Sequence, residues 1–362
     1  MVAGSNGAVS SCERGEIKRM TLRTGLIGFG LAGRYFHAPF LRLAGFDVAA
    51  VVTSRRDEVH SVFPQADVLP DVDSLLGRND IDLVVIASPT QAHYGQARAA
   101  LEAGKHVVVD KPVAVTAEEA RTLAQLARER GRVLSVFHNR RWDADFLTLR
   151  KLIAEDRLGE INGYHVRWDR YRPEPSASWR NLPDPASGMV YDLGSHLIDH
   201  VLVLFGRPDW VQADAFTQRE GARTDDGFEI LMAKGKLRIT LGVSYLASDG
   251  GWRFRVHGSR ASFLKAELDP QEDQSLAGMQ PDDPRFGVED ERVWGKVVYG
   301  ATGKTEIVPS ERGCWIEYYR GVRASLEQGL PPPVTADQAA EVIEIIEAVY
   351  RSAREGRRIA LQ

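Results

Sequence analysis

The segment Gly28-Phe29-Gly30-Leu31-Ala32-Gly33 constrains this chain more than any other, because it stands between a short apolar run and a helical stretch. Three glycines at that spacing suit a tight strand-to-helix turn. The first permits the turn, the second lets the backbone approach an anion, and the third lets helix pack closely on strand. The helix N-terminus then faces the anion, so a pyrophosphate is the expected ligand, with Leu31 and Ala32 beside it. A lone GxGxxG occurs in many α/β proteins, and the rest of the pattern decides. Apolar runs at 24–29, 48–53, 83–87, 106–109 and 133–137 alternate with amphipathic stretches such as 91–103 and 117–130. That alternation predicts a doubly wound α/β domain on a parallel sheet, ending near Phe137 or His138.

Beyond Asn139 the rhythm changes. A helix is expected at 144–154, followed by longer alternating strands that include 163–171, 228–233, 237–245 and 252–257. Consecutive strands joined by tight turns favour an antiparallel sheet. The stretch 269–292 is acidic, rich in Pro and Gly and poorly periodic, and is expected to be a surface excursion. Helices at 311–328 and 336–354 close the chain. The 362 residues divide into an extension at 1–19 expected to be disordered, a dinucleotide-binding domain at 20–138, and a substrate-binding and oligomerisation domain at 139–362.

Formal net charge is −4 with both signs interspersed, so no basic stripe points to nucleic acid. No apolar stretch approaches the ~20 residues that span a bilayer, and the N-terminal residues lack the apolar core of a secretory signal. Cys12 and Cys314 stand far apart without a CxxC or Cys/His cluster, which argues against a disulfide framework or zinc module. A soluble, cytoplasmic protein with a small-molecule ligand is expected.

The second strand should meet the adenosine ribose of a bound dinucleotide, and it ends in Thr53-Ser54-Arg55-Arg56. An acidic residue there would bind a free 2′-hydroxyl; Ser54 and Arg55 instead suit a 2′-phosphate. NADP(H) is the expected cofactor, with NAD(H) weaker. Ser88, Pro89 and Thr90 follow the third apolar run and Asp110-Lys111-Pro112 the fourth, both at strand ends where open α/β sheets bind ligands. His93 either contacts the cofactor or faces solvent on its helix.

Lys111 ends an apolar run as a charged residue delivered to a cleft, and Asp192 and His196 lie four apart at the opening of a helix. Lysine can lower the energy of an alkoxide, histidine titrates in the range suited to taking a hydroxyl proton, and Asp192 can orient that histidine. Asp192, His196 and His200 also form a DxxxHxxxH string, but side chains stacked at successive i, i+4 positions converge poorly on one tetrahedral ion, so no metal is expected.

In this order, the Gly28 turn, Asp110-Lys111-Pro112 and Asp192-x-x-x-His196 resemble the Gfo/Idh/MocA oxidoreductase family. Gly28 to Pro39, Thr53-Ser54-Arg55, His138-Asn139-Arg140-Arg141-Trp142-Asp143 and Tyr191 to His196 are most similar to its NADP-dependent scyllo-inositol dehydrogenases. The resemblance implies a Rossmann domain, a C-terminal α/β domain with a large open, mostly antiparallel sheet, and homodimers or homotetramers assembled through that sheet. It also implies reversible oxidation of a cyclic polyol or sugar, scyllo-inositol and its 2-keto form leading. Where that family usually has Glu-Lys-Pro, this chain has Asp110. Asn139 is expected to contact the cofactor, and Arg141 and Tyr171 the substrate; Arg170, Arg172 and Trp179-Arg180 can face the same cleft or form hinge and edge-strand surface. An aldose or keto-sugar as substrate is the near alternative. A nucleotide-sensing regulator is the distant one, disfavoured because a sensor needs neither Lys111 nor His196.

Overall fold

The computed structural model describes residues 21–175 and 182–361; the expected extension at 1–19 and Trp179-Arg180 lie outside the described residues. Six parallel strands form the first sheet: β1 (Arg23–Ile27), β2 (Asp47–Val52), β3 (Asp67–Leu69), β4 (Leu83–Ile86), β5 (His106–Asp110) and β6 (Leu134–Phe137). Their order is β3-β2-β1-β4-β5-β6, so the winding reverses between β1 and β4. A crevice opens at such a reversal, beyond the carboxyl ends of the strands. The glycine turn, Ser88, Asp110-Lys111 and Asn139 all follow strands at that edge. Val84, Val85, Val107, Val108 and Val109 are fully buried, which is why β4 and β5 read as unbroken apolar runs.

The second sheet is mixed and mostly antiparallel, in the order β14-β13-β12-β11-β7-β10-β9-β8-β15. Its strands are β7 (Ile161–Arg167), β8 (Trp210–Phe216), β9 (Gly227–Lys234), β10 (Leu237–Ser244), β11 (Phe254–Gly258), β12 (Ala261–Lys265), β13 (Gly295–Tyr299), β14 (Thr305–Val308) and β15 (Ile359–Ala360). Among the described residues of this sheet, only β7 and β10 pair in parallel. Tyr164, Ile239, Leu241, Val256, Phe263 and Val297 share one face and are buried under the helices Ala144–Ala154, Ser195–Phe205 and Ala336–Glu355. The opposite face is open and carries His165, Leu231, Thr240 and Leu264.

The helix Ala336–Glu355 joins the two layers. Ala339, Ala340 and Ile343 pack into the first core, and Val342, Ile345, Ile346 and Val349 into the second. A reciprocal Thr335/Gln338 cap starts this helix and Gly356, at φ 64°, ends it. Before it, Trp315, Tyr318, Tyr319 and Val322 return from the second sheet to the core of the first, where Tyr319 Oη lies 2.6 Å from His37 Nδ1. Among the described residues, no helix is long and apolar enough to cross a membrane.

The stretch 269–292 is not the surface excursion its composition suggests. It opens with the helix Gln271–Leu276, and Asp269 and Gln271 are buried. Their polar groups are satisfied by distant backbone: Ala144 N–H donates to Asp269 at 2.6 Å, Trp315 N–H to Gln271 at 2.8 Å, and the Gln271 amide donates to Trp142 O at 3.1 Å. The helix expected from 311 begins at Ile316, because the residues before it are held in a lead-in where Glu311 N–H donates to Thr148 and Gly313 N–H to Gly287 O.

Candidate active site

The three glycines divide their tasks. Gly28 has φ +92°, and a Cβ there would lie 2.7 Å from Ala87 O; a Cβ on Gly33 would lie 2.2 Å from Gly28 O. Both positions are closed by neighbouring backbone. Among the described residues a Cβ on Gly30 would meet nothing within 4 Å, so at this position the backbone faces open space. That space is a groove of about 580 Å³ lined by Gly28, Gly30, Leu31, Ala32, Ser88, Pro89, Thr90, His93, Asp110 and Lys111. Asp71 and Val72 line it from beyond β3, and Ala186 to Gly188, Tyr191 and Asp192 from the second domain. A turn open only at its middle glycine, before a helical segment, is the cradle that a pyrophosphate requires.

His93 lines the groove but is buried, with Nδ1 2.7 Å from Pro112 O and Nε2 2.9 Å from Ser88 O. It ties two strand-end loops together rather than facing solvent. Ser54 and Arg55 do not line the groove. Arg55 Nη1 donates to Glu58 Oε1 at 3.1 Å, and Arg34 Nη1 to Glu58 Oε2 at 2.6 Å, so one carboxylate bridges two arginines beyond the end of β2. Neither Arg34 nor Glu58 stood out in the sequence.

Lys111 joins this groove to a second cavity of about 280 Å³ that His196, Asp192, Asp110, Asn139, Arg140, Trp168 and Glu272 also line. Its Nζ donates to Asp192 Oδ1 at 2.8 Å and to Asp192 O at 2.7 Å. The expected Asp192–His196 pairing is therefore corrected. Asp192 lies in a π-wound turn, Val190–Gly194, ahead of the α-helix Ser195–Phe205, so the i, i+4 rule does not carry across it. Its carboxylate is turned to Lys111, while His196 Nδ1 is buried and has no hydrogen-bond partner among the described residues. The ring centroids of His138 and Trp168 each lie 6.1 Å from that of the imidazole. Burial, then the Lys111 and Arg140 cations, hold His196 well below the usual imidazole range, so it is neutral at neutral pH. Burial works against ionisation of Asp110, but the His37 ring 3.8 Å away and the Lys111 cation hold its carboxyl low. Asp110 Oδ1 also accepts from its neighbour's backbone, Lys111 N–H, at 2.8 Å.

Arg141 is not in the cleft. Its guanidinium pairs with both Asp199 oxygens at 2.7 and 2.9 Å, the two side chains 9% and 2% exposed. The adjacent Arg140 takes the place expected of it, because in the 3-10 turn Asn139–Trp142 successive side chains diverge by about a third of a revolution. Arg140 is buried, its guanidinium 4.9 Å from the Trp168 ring and 5.0 Å from the Trp315 ring, and it pairs with Glu272. Tyr171 is 61% exposed and lines neither cavity; its neighbours Arg170 and Arg172 line the second. Asn139 lines the second cavity and not the groove. His200 is stacked on Phe146 with Nε2 3.1 Å from Arg140 O, away from both.

Comparison with known proteins matches two stretches of the chain. Residues 22–138 match the model of the oxidoreductase family's NAD-binding Rossmann fold, and residues 150–361 its C-terminal alpha/beta domain, the Gfo/Idh/MocA pair. The chain is 42% identical to the scyllo-inositol 2-dehydrogenase (NADP(+)) of Bacillus subtilis, over 96% of this chain and 98% of that one. It is 40% identical to an uncharacterized oxidoreductase, YdgJ, of Escherichia coli, over 92% and 96%. Among solved structures, an oxidoreductase from Bacillus subtilis superposes with a TM-score of 0.93 at 42% identity, covering 95% of this chain and 99% of that one.

Proposed function

This chain belongs to the Gfo/Idh/MocA oxidoreductase family, and we propose that it is an NADP-dependent dehydrogenase of a neutral cyclic polyol, with scyllo-inositol and its 2-keto form as the leading pair. The observation that carries this reading is the meeting of Lys111, Asp192 and His196 where the groove passes into the smaller cavity. A nicotinamide cofactor, when bound, supplies the hydride acceptor. The residues present fit it: the open position at Gly30 admits a pyrophosphate, Leu31, Ala32, Ser88 to Thr90 and Asp110 line the groove's length, and Arg34 and Arg55, held by Glu58 beyond the end of β2, are cations that a 2′-phosphate would take by displacing that carboxylate.

The chain's own groups then act on the alcohol. Lys111 Nζ, fixed by two bonds to Asp192, donates to the substrate oxygen and stabilises negative charge as it develops. His196, neutral because it is buried beside cations, accepts the hydroxyl proton. Asp192 holds Lys111 rather than His196. In the reverse direction His196 returns the proton to the new alcohol.

Charge matching supports a neutral substrate. Lys111 faces Asp192, Arg140 and Arg170 share Glu272, Arg219 lies 3.0 Å from Asp226, and the carboxylates of Asp110 and Glu174 also line the cavity, so both signs are present in near balance. Among the described residues, Arg172 is the cavity-lining cation with no carboxylate within ion-pair distance, and it is exposed. The open face of the second sheet, carrying half-buried Leu231, Leu264 and Val298, supports assembly of copies through that face. The functional test compares kcat/KM for scyllo-inositol, myo-inositol, glucose and a sugar acid with NADP and NAD. A lead for scyllo-inositol with NADP is expected; a lead for the sugar acid would overturn the substrate class.

A further inference from the structure

We propose that Glu272 is the specificity-determining residue of the smaller cavity, accepting hydrogen bonds from substrate hydroxyls and turning away substrates that carry a carboxylate. The proposal rests on the polyol reading above and goes beyond it to the group that selects. Glu272 reaches the cavity from the helix Gln271–Leu276, whose first turn is locked by the buried Asp269 and Gln271. Its position is therefore set by the protein interior. The side chain remains 25% exposed, so the carboxylate is accessible to a ligand in the cavity.

Its two oxygens are differently engaged. Oε2 accepts from Arg140 Nη2 and lies 3.8 Å from Arg170 Nη2. Oε1 has no hydrogen-bond partner among the described residues. Arg140 cannot follow a ligand, because its guanidinium is held between the Trp168 and Trp315 rings and also faces Asp143 at 3.5 Å. A carboxylate pinned through one oxygen leaves the other as a fixed acceptor. Ionised carboxylates only accept, so the matching ligand group is a hydroxyl donor, and a polyol offers several. Burial disfavours the charge on Glu272, but Arg140 and Arg170 hold its carboxyl below the usual range, so it stays ionised at neutral pH. A substrate carboxylate brought against Oε1 sets acceptor against acceptor with no proton to share, and that unmet contact in a partly desolvated wall acts as selection against acids.

The experiment uses the full-length protein with NADP and compares wild type, Glu272→Gln and Glu272→Asp on scyllo-inositol and on a hexuronic acid. Cofactor Kd and thermal unfolding are measured for each variant. In Glu272→Gln the KM for the polyol is expected to rise about 10- to 100-fold, the scale of a charge-assisted hydrogen bond, while kcat changes less than about 3-fold. The ratio of kcat/KM for acid over polyol should rise at least about tenfold, with cofactor Kd unchanged. Glu272→Asp, which keeps the charge on a shorter stem, should raise KM for the polyol while the acid's own kcat/KM stays at the wild-type level. It carries the test if the glutamine variant does not fold. A wild type that favours the polyol, with either variant leaving both KM and the acid-to-polyol ratio unchanged, would overturn the role of Glu272 alone. A wild type that favours the acid would overturn the polyol reading as well.

Discussion

Glu58→Gln isolates the electrostatics of the proposed 2′-phosphate site. In the structure the Glu58 carboxylate is shared by Arg34 at 2.6 Å and Arg55 at 3.1 Å, with the three side chains 33%, 36% and 54% exposed respectively. A phosphate arriving there must compete for both guanidinium groups and also meets the carboxylate's own charge. Solvent screens pairs this exposed, so each is worth only about 0.2–1 kcal/mol. Releasing two of them, together with the like charge, should tighten NADP binding by about 0.5–2 kcal/mol, or roughly 2- to 30-fold. Arg55→Ala should act oppositely, weakening NADP by roughly 1–3 kcal/mol. NAD has no phosphate at that position and should change less than about twofold in either variant. Calorimetric titration with NADP, NAD, 2′,5′-ADP and 5′-AMP separates these effects, and the NADP-specific part should shrink as salt rises. Equal changes for both cofactors would refute the assignment of Arg55. Weaker NAD binding in Glu58→Gln would show instead that this carboxylate holds a free ribose hydroxyl.

Other outcomes follow from the same geometry. Gly30→Ala should fold normally and bind cofactor at least about tenfold more weakly, because its Cβ intrudes on open groove, whereas Gly33→Ala should lower Tm, because its Cβ would lie 2.2 Å from Gly28 O; the reverse pattern in cofactor titration and thermal unfolding would contradict these roles. Arg141→Ala leaves Asp199 buried without its guanidinium partner and should cost about 3–5 kcal/mol in denaturant unfolding; a loss below about 1 kcal/mol would show that the pair is not structural. Burial pushes His93, His138, His196 and His200 below the usual imidazole range, His138 to about 4 and His200 to about 3. Each takes a proton in the unfolded chain near pH 6.5 before it does so in the folded one, so stability is full above that pH and falls below it by up to about 1.4 kcal/mol per group per pH unit. Asp143 and Asp269, both raised chiefly by burial, oppose this by holding protons in the folded state. A net fall in Tm from pH 7.5 to 5.5 is expected, and a rise would contradict the balance. The acid limb of kcat/KM for alcohol oxidation should lie below pH 6.5, since His196 must protonate to lose activity.

The first domain was legible because its physics is local. Strands buried on both faces appear as apolar runs, and the residue that ends each run, such as Asp110 before Lys111, stands at the ligand edge. The second domain was harder to read, because its site depends on contacts between distant segments. The buried role of Asp269 and Gln271 is invisible in an acidic, Pro-rich stretch, since their partners are the backbones of Ala144 and Trp315. The choice between Arg140 and Arg141 turns on the phase of one short 3-10 turn. Asp192 and His196 have helical spacing, yet a π-wound turn directs the aspartate to Lys111. The Arg34–Glu58–Arg55 bridge joins two helical segments of the first domain that no spacing rule connects.

Turnover of Lys111→Ala and His196→Ala, at saturating NADP and polyol, tests the proposed chemistry most directly. Each variant is expected to lose at least about 10²-fold in kcat, the lower end of what positioned acid–base groups contribute, with NADP Kd and Tm close to wild type. Asp192→Asn should fall with Lys111→Ala, because the structure couples it to that lysine. Near-normal turnover in His196→Ala would place the proton acceptor elsewhere in the cleft and contradict the mechanism.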